Sequence, residues 1–514
     1  MIDTNALRKK VLDLAIRGKL VPQNPNDEPA SVLLERIREE KQRLIREGKI
    51  KKDKVDSVIF RGDDNCHYEK IGNSEPVLLE DLPFEIPDSW SWVRLKTLCE
   101  VRNGATPRRE VKEYWENGTV PWFTIEDKRE QGLYITHTKQ HITDIALSKD
   151  RIVPSDSVLL CCTASVGEVA YTTIPLTTNQ QFNGLSVKDY CKDVLFSKFL
   201  LVFSFTLKEA LNNKLATATT FNFVSVSKIE NLLIPIPPLE EQKEIVNYIE
   251  EIFGVIDLLE NEQADYINLV DVLRKSILQS AIRGTLVEQD ETDEPVAVLL
   301  EKIRAEKKAQ LGKKYVESYI YKGDDNRYYE HINGKSTDIT ENIPFELPTN
   351  WCWARWGDIS ESIQYGYNAP AKENGRIKMV RISDIQNGNV VWESVPYCDI
   401  DEEDIESYTL KAGDILFART GGTVGKSYLV TEVPEEAIYA GYLIRTRYSN
   451  QLSSQYLKYF METNLYWLQL TNGTTATAQP NCNGKTLGKM LLPIPPLAEQ
   501  ERIVNKINEI FAQL

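Results

Sequence analysis

The segment LRKKVLDLAIRGKLVPQNPNDEPASVLLERIREEK, from Leu7, returns without a gap as LRKSILQSAIRGTLVEQDETDEPVAVLLEKIRAEK, from Leu273, an offset of 266 residues. RGDDNCHYE from Arg61 answers to KGDDNRYYE from Lys322, and LPFEIPDSWSW from Leu82 to IPFELPTNWCW from Ile343, both at an offset of 261. LLIPIPPLEEQKEIVNYIEEIF from Leu232 answers to LLPIPPLAEQERIVNKINEIF from Leu491, with Pro235 against Pro493 at an offset of 258. A fixed repeat of this length restricts the chain to two like supersecondary units of about 260 residues each.

The frame repeats, but what it encloses does not. Residues 96–231 and 357–489 hardly resemble each other, and the domains they make up, 96–238 and 357–496, are expected to be α/β, because short runs rich in Val, Ile, Thr and Tyr are broken by Gly, Pro and Asn. Around them we expect a helical segment over 1–60, connectors over 61–95 and 311–356, a long helix with a helical region over 239–310, and a final helix over 497–514. One element survives inside the variable segments. DSVLLCCTASVGEVAY from Asp156 aligns with DILFARTGGTVGKSYL from Asp414 at the offset of 258. The second copy ends in Gly-Lys-Ser like a phosphate-binding loop, yet such a loop needs four residues between its first glycine and the Gly-Lys pair, and that place holds Thr420. Lys426 answers to Glu168, and a carboxylate cannot replace a phosphate-binding Lys. The shared element is expected to be a strand, a glycine turn and a strand.

Apolar residues recur in alternating steps of four and three at Ile245, Ile249, Ile252, Ile256 and Leu259, and the stripe continues through Tyr266, Val270, Leu273 and Ile277. That is a heptad pattern. Ile503, Ile507 and Ile510 repeat its early part, and Leu7 and Val11 repeat its late part. The fold class expected is therefore mixed α+β. Two pseudo-twofold-related domains would be separated by two long antiparallel helical elements of coiled-coil type, one continuous and one assembled from both chain ends. Packing of the stripe inside a single core is the alternative.

With Lys+Arg 61 against Asp+Glu 76 the formal charge is −15, so no global basic field advertises nucleic acid, and a DNA role needs local patches. The eight cysteines and four histidines present no metal-ligand spacing, and buried free thiols in a reducing cytoplasm are expected. The chain shows no signal peptide or apolar run long enough to span a bilayer, which points to the cytoplasm rather than a membrane. Two dissimilar domains on a pseudo-twofold frame suit duplex DNA, whose half-sites are read at a spacing fixed by protein geometry. In the first domain the candidates for base edges and phosphates are Thr106, Arg108, Arg109, Tyr114, Lys128, Arg129, Asn179, Gln180, Gln181 and Asn183. In the second they are Tyr365, Tyr367, Asn368, Lys372, Arg381, Arg419, Lys426, Asn481, Asn483 and Lys485. Trp115 and Trp122 are expected in the core rather than against DNA. Asp63, Asp64, Glu69 and Lys70 could suggest a metal nuclease, but the second copy has His331 at the Lys position, and a structural turn is expected.

The duplicated PIPPLEEQ and PIPPLAEQ, the Pro-x-x-Trp-x-Trp entries at Pro87–Trp92 and Pro348–Trp353, GATP and EYW in the first domain and AGDILFARTGGTVGK in the second together resemble the specificity subunits of type I restriction-modification systems. The resemblance covers essentially the whole chain. It implies two target recognition domains, each reading half of a split DNA sequence. It also implies two modification methyltransferase subunits using S-adenosylmethionine and two restriction subunits using ATP and Mg, with no catalysis and no bound cofactor in this chain. Consistent with that, both Pro-Pro sites read IPPL and lack the Asn/Asp-Pro-Pro-aromatic loop that holds a flipped adenine. In the family pattern the AIRGKL-to-LLERIREEK tail follows the second domain, whereas here a copy precedes the first. Two alternatives stay open: a recognition subunit whose methylase and nuclease are fused in one partner, and a coiled-coil adaptor that binds no DNA.

Overall fold

The computed structural model describes residues 1–51, 56–80, 82–163, 165–211, 224–386, 388–473 and 482–514. The chain divides into two compact units, Met1–Ala264 and Asp265–Leu514, and the division falls inside its longest helix, Leu239–Ile282. Each unit mixes helices and sheets on one plan. Among the described residues no helix is long and apolar enough to cross a membrane.

In the first unit a five-stranded sheet runs in the order Cys99–Asn103, Phe182–Val187, Ser157–Cys161, Val169–Thr172, Tyr134–Ile135. A second sheet joins Thr177–Thr178, Val120–Phe123 and Gln140–Ile142. The second unit has a four-stranded sheet, Ser360–Tyr365, Leu443–Tyr448, Ile415–Ala418, Ser427–Leu429, and a three-stranded one, Tyr397–Cys398, Ile377–Val380, Ala437–Tyr439. The strand Ser157–Cys161 is buried at every position because both its faces are covered. Its side chains alternate as strand geometry requires. Val158 and Leu160 enter the main core with the helices, while Leu159 and Cys161 enter a smaller core with Phe123 and Phe182. Ile415 and Phe417 part from Leu416 and Ala418 in the same way in the second unit.

The repeated motifs turn out to bind one another. Ser91–Arg94 pairs antiparallel with Leu233–Ile236, setting Trp92 opposite Pro235, and Cys352–Arg355 pairs with Leu491–Ile494, setting Trp353 opposite Pro493. A proline is tolerated there because a two-stranded ladder is all edge. The helix that follows then locks the joint. Buried Glu241 accepts from Trp90 Nε1 at 3.0 Å and Gln23 Nε2 at 2.5 Å, and buried Glu499 accepts from Trp351 Nε1 at 2.9 Å and Gln289 Nε2 at 2.5 Å. Gln242 donates to the Val194 and Pro237 carbonyls and accepts from the Phe196 N–H, and Gln500 donates to the Pro495 carbonyl and accepts from the Ser453 N–H. Glu and Gln of Pro-Pro-Leu-x-Glu-Gln thus join their helix to the Trp loop and to the start of a domain helix, Ser197–Ala210 in the first unit and Ser454–Phe460 in the second.

The RGDDN segments are hairpin turns, as expected. Asp64 accepts from Cys66 N–H and Tyr68 O–H, Asp325 accepts from Arg327 N–H and Tyr329 O–H, and Asn65 and Asn326 adopt positive φ. Glu69 takes Arg94 in a two-point ion pair and Glu330 takes Arg355, tying the hairpins Ser57–Ile71 and Ser318–Ile332 to the strands Ser91–Arg94 and Cys352–Arg355. All eight cysteines are free, and Cys66 departs from the expected burial by lying exposed in its turn.

The chain's ends fold back onto the long helix within their own units. In the first, Arg8 pairs with Asp257 at 2.5 Å and its guanidinium covers the Phe253 ring, and Ile2 N–H donates to Gln263. In the second, Arg274 covers Phe511 and Tyr266 O–H donates to the Leu514 carbonyl. The heptad stripe is continuous in sequence but not in burial. Ile245, Ile249, Ile256, Val11, Ile277, Ile503 and Ile507 are buried, and all of these but Ile256 join the main core of their unit. Ile252, Leu259 and Ile510 are half-buried. Leu7 and Leu273, at 39% and 41% exposure, depart from the coiled-coil expectation.

The Gly-Lys-Ser segment is the hairpin the repeat predicts. Ile415–Ala418 and Ser427–Leu429 are antiparallel neighbours, as are Ser157–Cys161 and Val169–Thr172. Gly425 and Gly167 both have positive φ and press against a helix. A Cβ on Gly425 would lie 2.2 Å from Leu470, and one on Gly167 2.6 Å from the Lys208 backbone. The glycine serves close packing, not phosphate.

Candidate nucleic-acid interface

In both units the first strand of the larger sheet ends at a glycine that touches a neighbouring loop. Gly104 donates to the Phe182 carbonyl and Gly366 to the Leu443 carbonyl. A Cβ would sit 2.0 Å from the Asn179 carbonyl in one and 2.2 Å from that of Ala440 in the other. This close approach gathers loops distant in sequence at one end of the sheet.

In the first unit it brings Thr106 against Gln180, whose side chains are hydrogen-bonded. Two indoles pin the loop between Gly104 and Trp115. Trp122 Nε1 donates to the Ala105 carbonyl at 3.0 Å and Trp115 Nε1 to that of Arg108 at 3.1 Å. The rings meet edge to face at 5.1 Å. Arg109 lies over both, its guanidinium carbon 3.9 Å from the Trp115 centroid and 5.0 Å from that of Trp122, with one Nη donating to Gln140 at 2.8 Å. Trp122 is a core residue, as expected, while half-buried Trp115 also forms a platform for this arginine.

In the second unit the same end gathers Tyr365, Arg419 and the turn before the helix Gly484–Gly488. The Arg419 guanidinium covers the Tyr365 ring at 4.5 Å, Tyr365 O–H accepts from Gly484 N–H, and Asn483 caps that helix through Thr486 N–H. Arg419 N–H bonds the carbonyl of Tyr442, whose side chain is 63% exposed. Asn368, Lys426 and Lys485 are exposed. Asn481 lies outside the described residues.

Several candidates are placed elsewhere. Asn183 is 3% exposed and donates to Cys162 Sγ, so its amide is a core group and not a reader of base edges. Lys128 pairs with Glu168 at 2.5 Å, which holds that carboxyl below its ordinary range, and lines a groove with Tyr134, Lys198 and Phe253. Lys372 is paired with Asp399, and Arg381 folds onto buried Asp384 at 2.7 Å as a helix cap. Tyr367 packs edge to face on Tyr408 at 5.2 Å. Asn179 and Gln181 bond one another, which shapes the loop and leaves Gln180 exposed. Tyr114 is half-buried and its carbonyl takes Thr143 N–H. Arg108 and Arg129 are exposed, and no contact among the described residues joins Arg129 to the cluster. Two members were missed from sequence. Tyr442 answers to Gln181 only in the structure, where the Tyr442 carbonyl takes Arg419 N–H as the Gln181 carbonyl takes Cys162 N–H, and nothing in the sequence marked Gln140 as the partner of Arg109.

The sequence model described as "Type I restriction modification DNA specificity domain" matches residues 87–268 and 348–514. The chain belongs to that family. It is 27% identical to the type I restriction enzyme EcoAI specificity subunit of Escherichia coli, with 98% of this chain and 88% of that protein covered. It is 26% identical to the MjaIX specificity subunit of Methanocaldococcus jannaschii, with 84% and 88% covered. The fold resembles a chain from a structure titled for complex assembly and conformational transition of the type I R-M system, with a TM-score of 0.55, 18% identity, and 84% of this chain and 92% of that one covered.

Proposed function

We propose that this chain is the DNA-recognition subunit of a type I restriction-modification complex. It binds a bipartite duplex target and positions two methyltransferase and two restriction subunits, which bring S-adenosylmethionine, ATP and Mg, while the chain itself is non-catalytic. The observation that carries this is the repeated joint of Glu241, Trp90 and Gln23, and of Glu499, Trp351 and Gln289, holding loop clusters that differ between the units. A frame kept twice around loops that diverge suits two half-sites of different sequence. DNA contacts come from the loop ends of each unit by itself, Arg109 and Gln180 in the first and Arg419 and Tyr442 in the second. The test is to replace residues 96–231 with another recognition domain and sequence the methylome of cells carrying the complex. One half of the modified sequence is expected to change and the other to stay. Changes in both halves, or no sequence-selective modification by the unaltered complex, would overturn the reading.

A further inference from the structure

We propose that each unit reads one guanine through a single arginine held on aromatic rings: Arg109 in the first and Arg419 in the second. This rests on the DNA-recognition reading above. Once the cations already committed to carboxylates are set aside, the remaining candidates fall into two kinds. Arg108, Arg129, Lys426 and Lys485 are exposed and have no ring beneath them among the described residues. Arg109 and Arg419 lie at 3.9 Å and 4.5 Å over Trp115 and Tyr365.

A cation that neutralises phosphate needs reach and charge and works from a mobile side chain. A guanidinium that reads guanine needs its plane fixed, because two N–H groups must meet O6 and N7 together. Stacking fixes that plane before DNA arrives. In the first unit Gln140 takes one Nη of Arg109 and so sets the rotation about the ring normal, leaving the opposite edge of the guanidinium for a ligand. In the second, Arg419 Nε is buried without a hydrogen-bond partner, its backbone is held by Tyr442 and Cys482, and no side-chain hydrogen bond satisfies it among the described residues. The two arginines come from different elements, a loop after the first strand and the end of Ile415–Ala418, yet both stand at the glycine-marked end of the larger sheet. Equivalent placement from unrelated residues favours a shared task over a shared structural need.

The experiment uses the assembled complex with its methyltransferase subunits, and a duplex carrying the sequence that methylome sequencing identifies. Each guanine in turn is replaced by 7-deazaguanine, which keeps base pairing and removes the N7 acceptor. For the unaltered complex, one such replacement in each half-site is expected to weaken binding by roughly 5- to 150-fold, the range of a bidentate contact. Arg109→Lys is expected to abolish that sensitivity in one half only, and Arg419→Lys in the other, although both keep the charge. Thermal unfolding confirms that the lysine variants fold, and Gln140→Leu gives a second route to Arg109, with partial loss at the same guanine. If the lysine variants retain full sensitivity, or neither half depends on guanine N7, the inference is overturned and the arginines are phosphate anchors or structural. If the unaltered complex selects no duplex at all, the DNA-recognition reading falls instead.

Discussion

The joint around Glu241 and the joint around Glu499 share their tryptophan, their glutamine and nearly their distances. The loop clusters above them share almost nothing: Thr106, Gln180 and a Trp-backed arginine in one, Tyr365, Tyr442 and a Tyr-backed arginine in the other. Both clusters nevertheless hang from the same backbone contacts, a glycine N–H to the adjacent strand and a closely apposed loop. Identity is kept where side chains fix the frame. It is released where only backbone atoms are needed to hold a loop in place.

The largest effects should come from breaking the shared joint. Trp90→Ala is expected to cost the first unit about 3–5 kcal/mol, and Trp351→Ala the same in the second. Segment-resolved hydrogen exchange reads the two units apart. Unequal losses would mean that the joints only look alike.

The shared glycine turn offers a smaller effect with a direction. Gly167→Ala and Gly425→Ala both force a positive φ on a residue with a Cβ, at about 1–2 kcal/mol. In the first the new methyl meets the Lys208 backbone, in the second only side chains, the tip of Leu470 and the edge of the partly exposed Trp467 ring. Gly167→Ala should therefore be the worse by a measurable margin in chemical denaturation. The reverse order would show that the helices give way differently than their contacts indicate.

Acidity separates the two joints. Burial raises the carboxyl pKa of both Glu241 and Glu499, so the folded chain holds each proton more tightly than the unfolded one. The position then favours folding most at low pH, and that contribution is lost as pH rises from the ordinary carboxyl value of 4.5 through the raised folded value. Asp27 pushes Glu241 further up and Asp293 does the same to Glu499, but Glu244 adds to the rise at Glu241 whereas Arg502, paired with Asp293, opposes it at Glu499. Acidifying from about pH 7 to about pH 5 should stabilise the first joint more than the second. Arg502→Glu, which copies Glu244 into the second unit, should make the responses equal in protection factors measured across that range. Equal responses before the substitution would remove the distinction.

At the small end, Lys372→Ala breaks an exposed pair with Asp399 and should change stability by less than about 1 kcal/mol. A larger loss in denaturant unfolding would make that pair part of the second unit's frame rather than its surface.

The frame was legible because it is written twice. Pro-Pro-Leu-x-Glu-Gln, the Trp entries and the RGDDN turns could be aligned without knowing what they touch, and the structure shows that they touch each other. The Gly-Lys-Ser turn was legible for the same reason, since Glu168 stood where Lys426 stands. Individual site residues were not. Asn183 lies in a polar run, TTNQQFNG, yet strand alternation and cover on both faces put it in the core beside Cys162. Lys128 and Arg381 read as free cations until Glu168 and Asp384 came beside them, one from 40 residues away and one from the next turn. The heptad stripe gave periodicity but not cover, because burial depends on which sheet lies over each turn of helix.

The joint between the N-terminal helix and the long helix also sets a schedule for synthesis. Arg8 meets a partner 249 positions downstream, and Ile2 one 261 positions downstream. At about 5–20 residues per second, a ribosome runs for roughly 10–50 s between making the two sides of that joint. For most of this interval Val11, Ala15 and Ile16, all buried in the finished unit, wait for a core whose last residue is Ile249. A nascent chain paused before Ile249 therefore displays an apolar helical face, and a chaperone that binds such faces should be found on ribosomes in the first half of this message more than in the second.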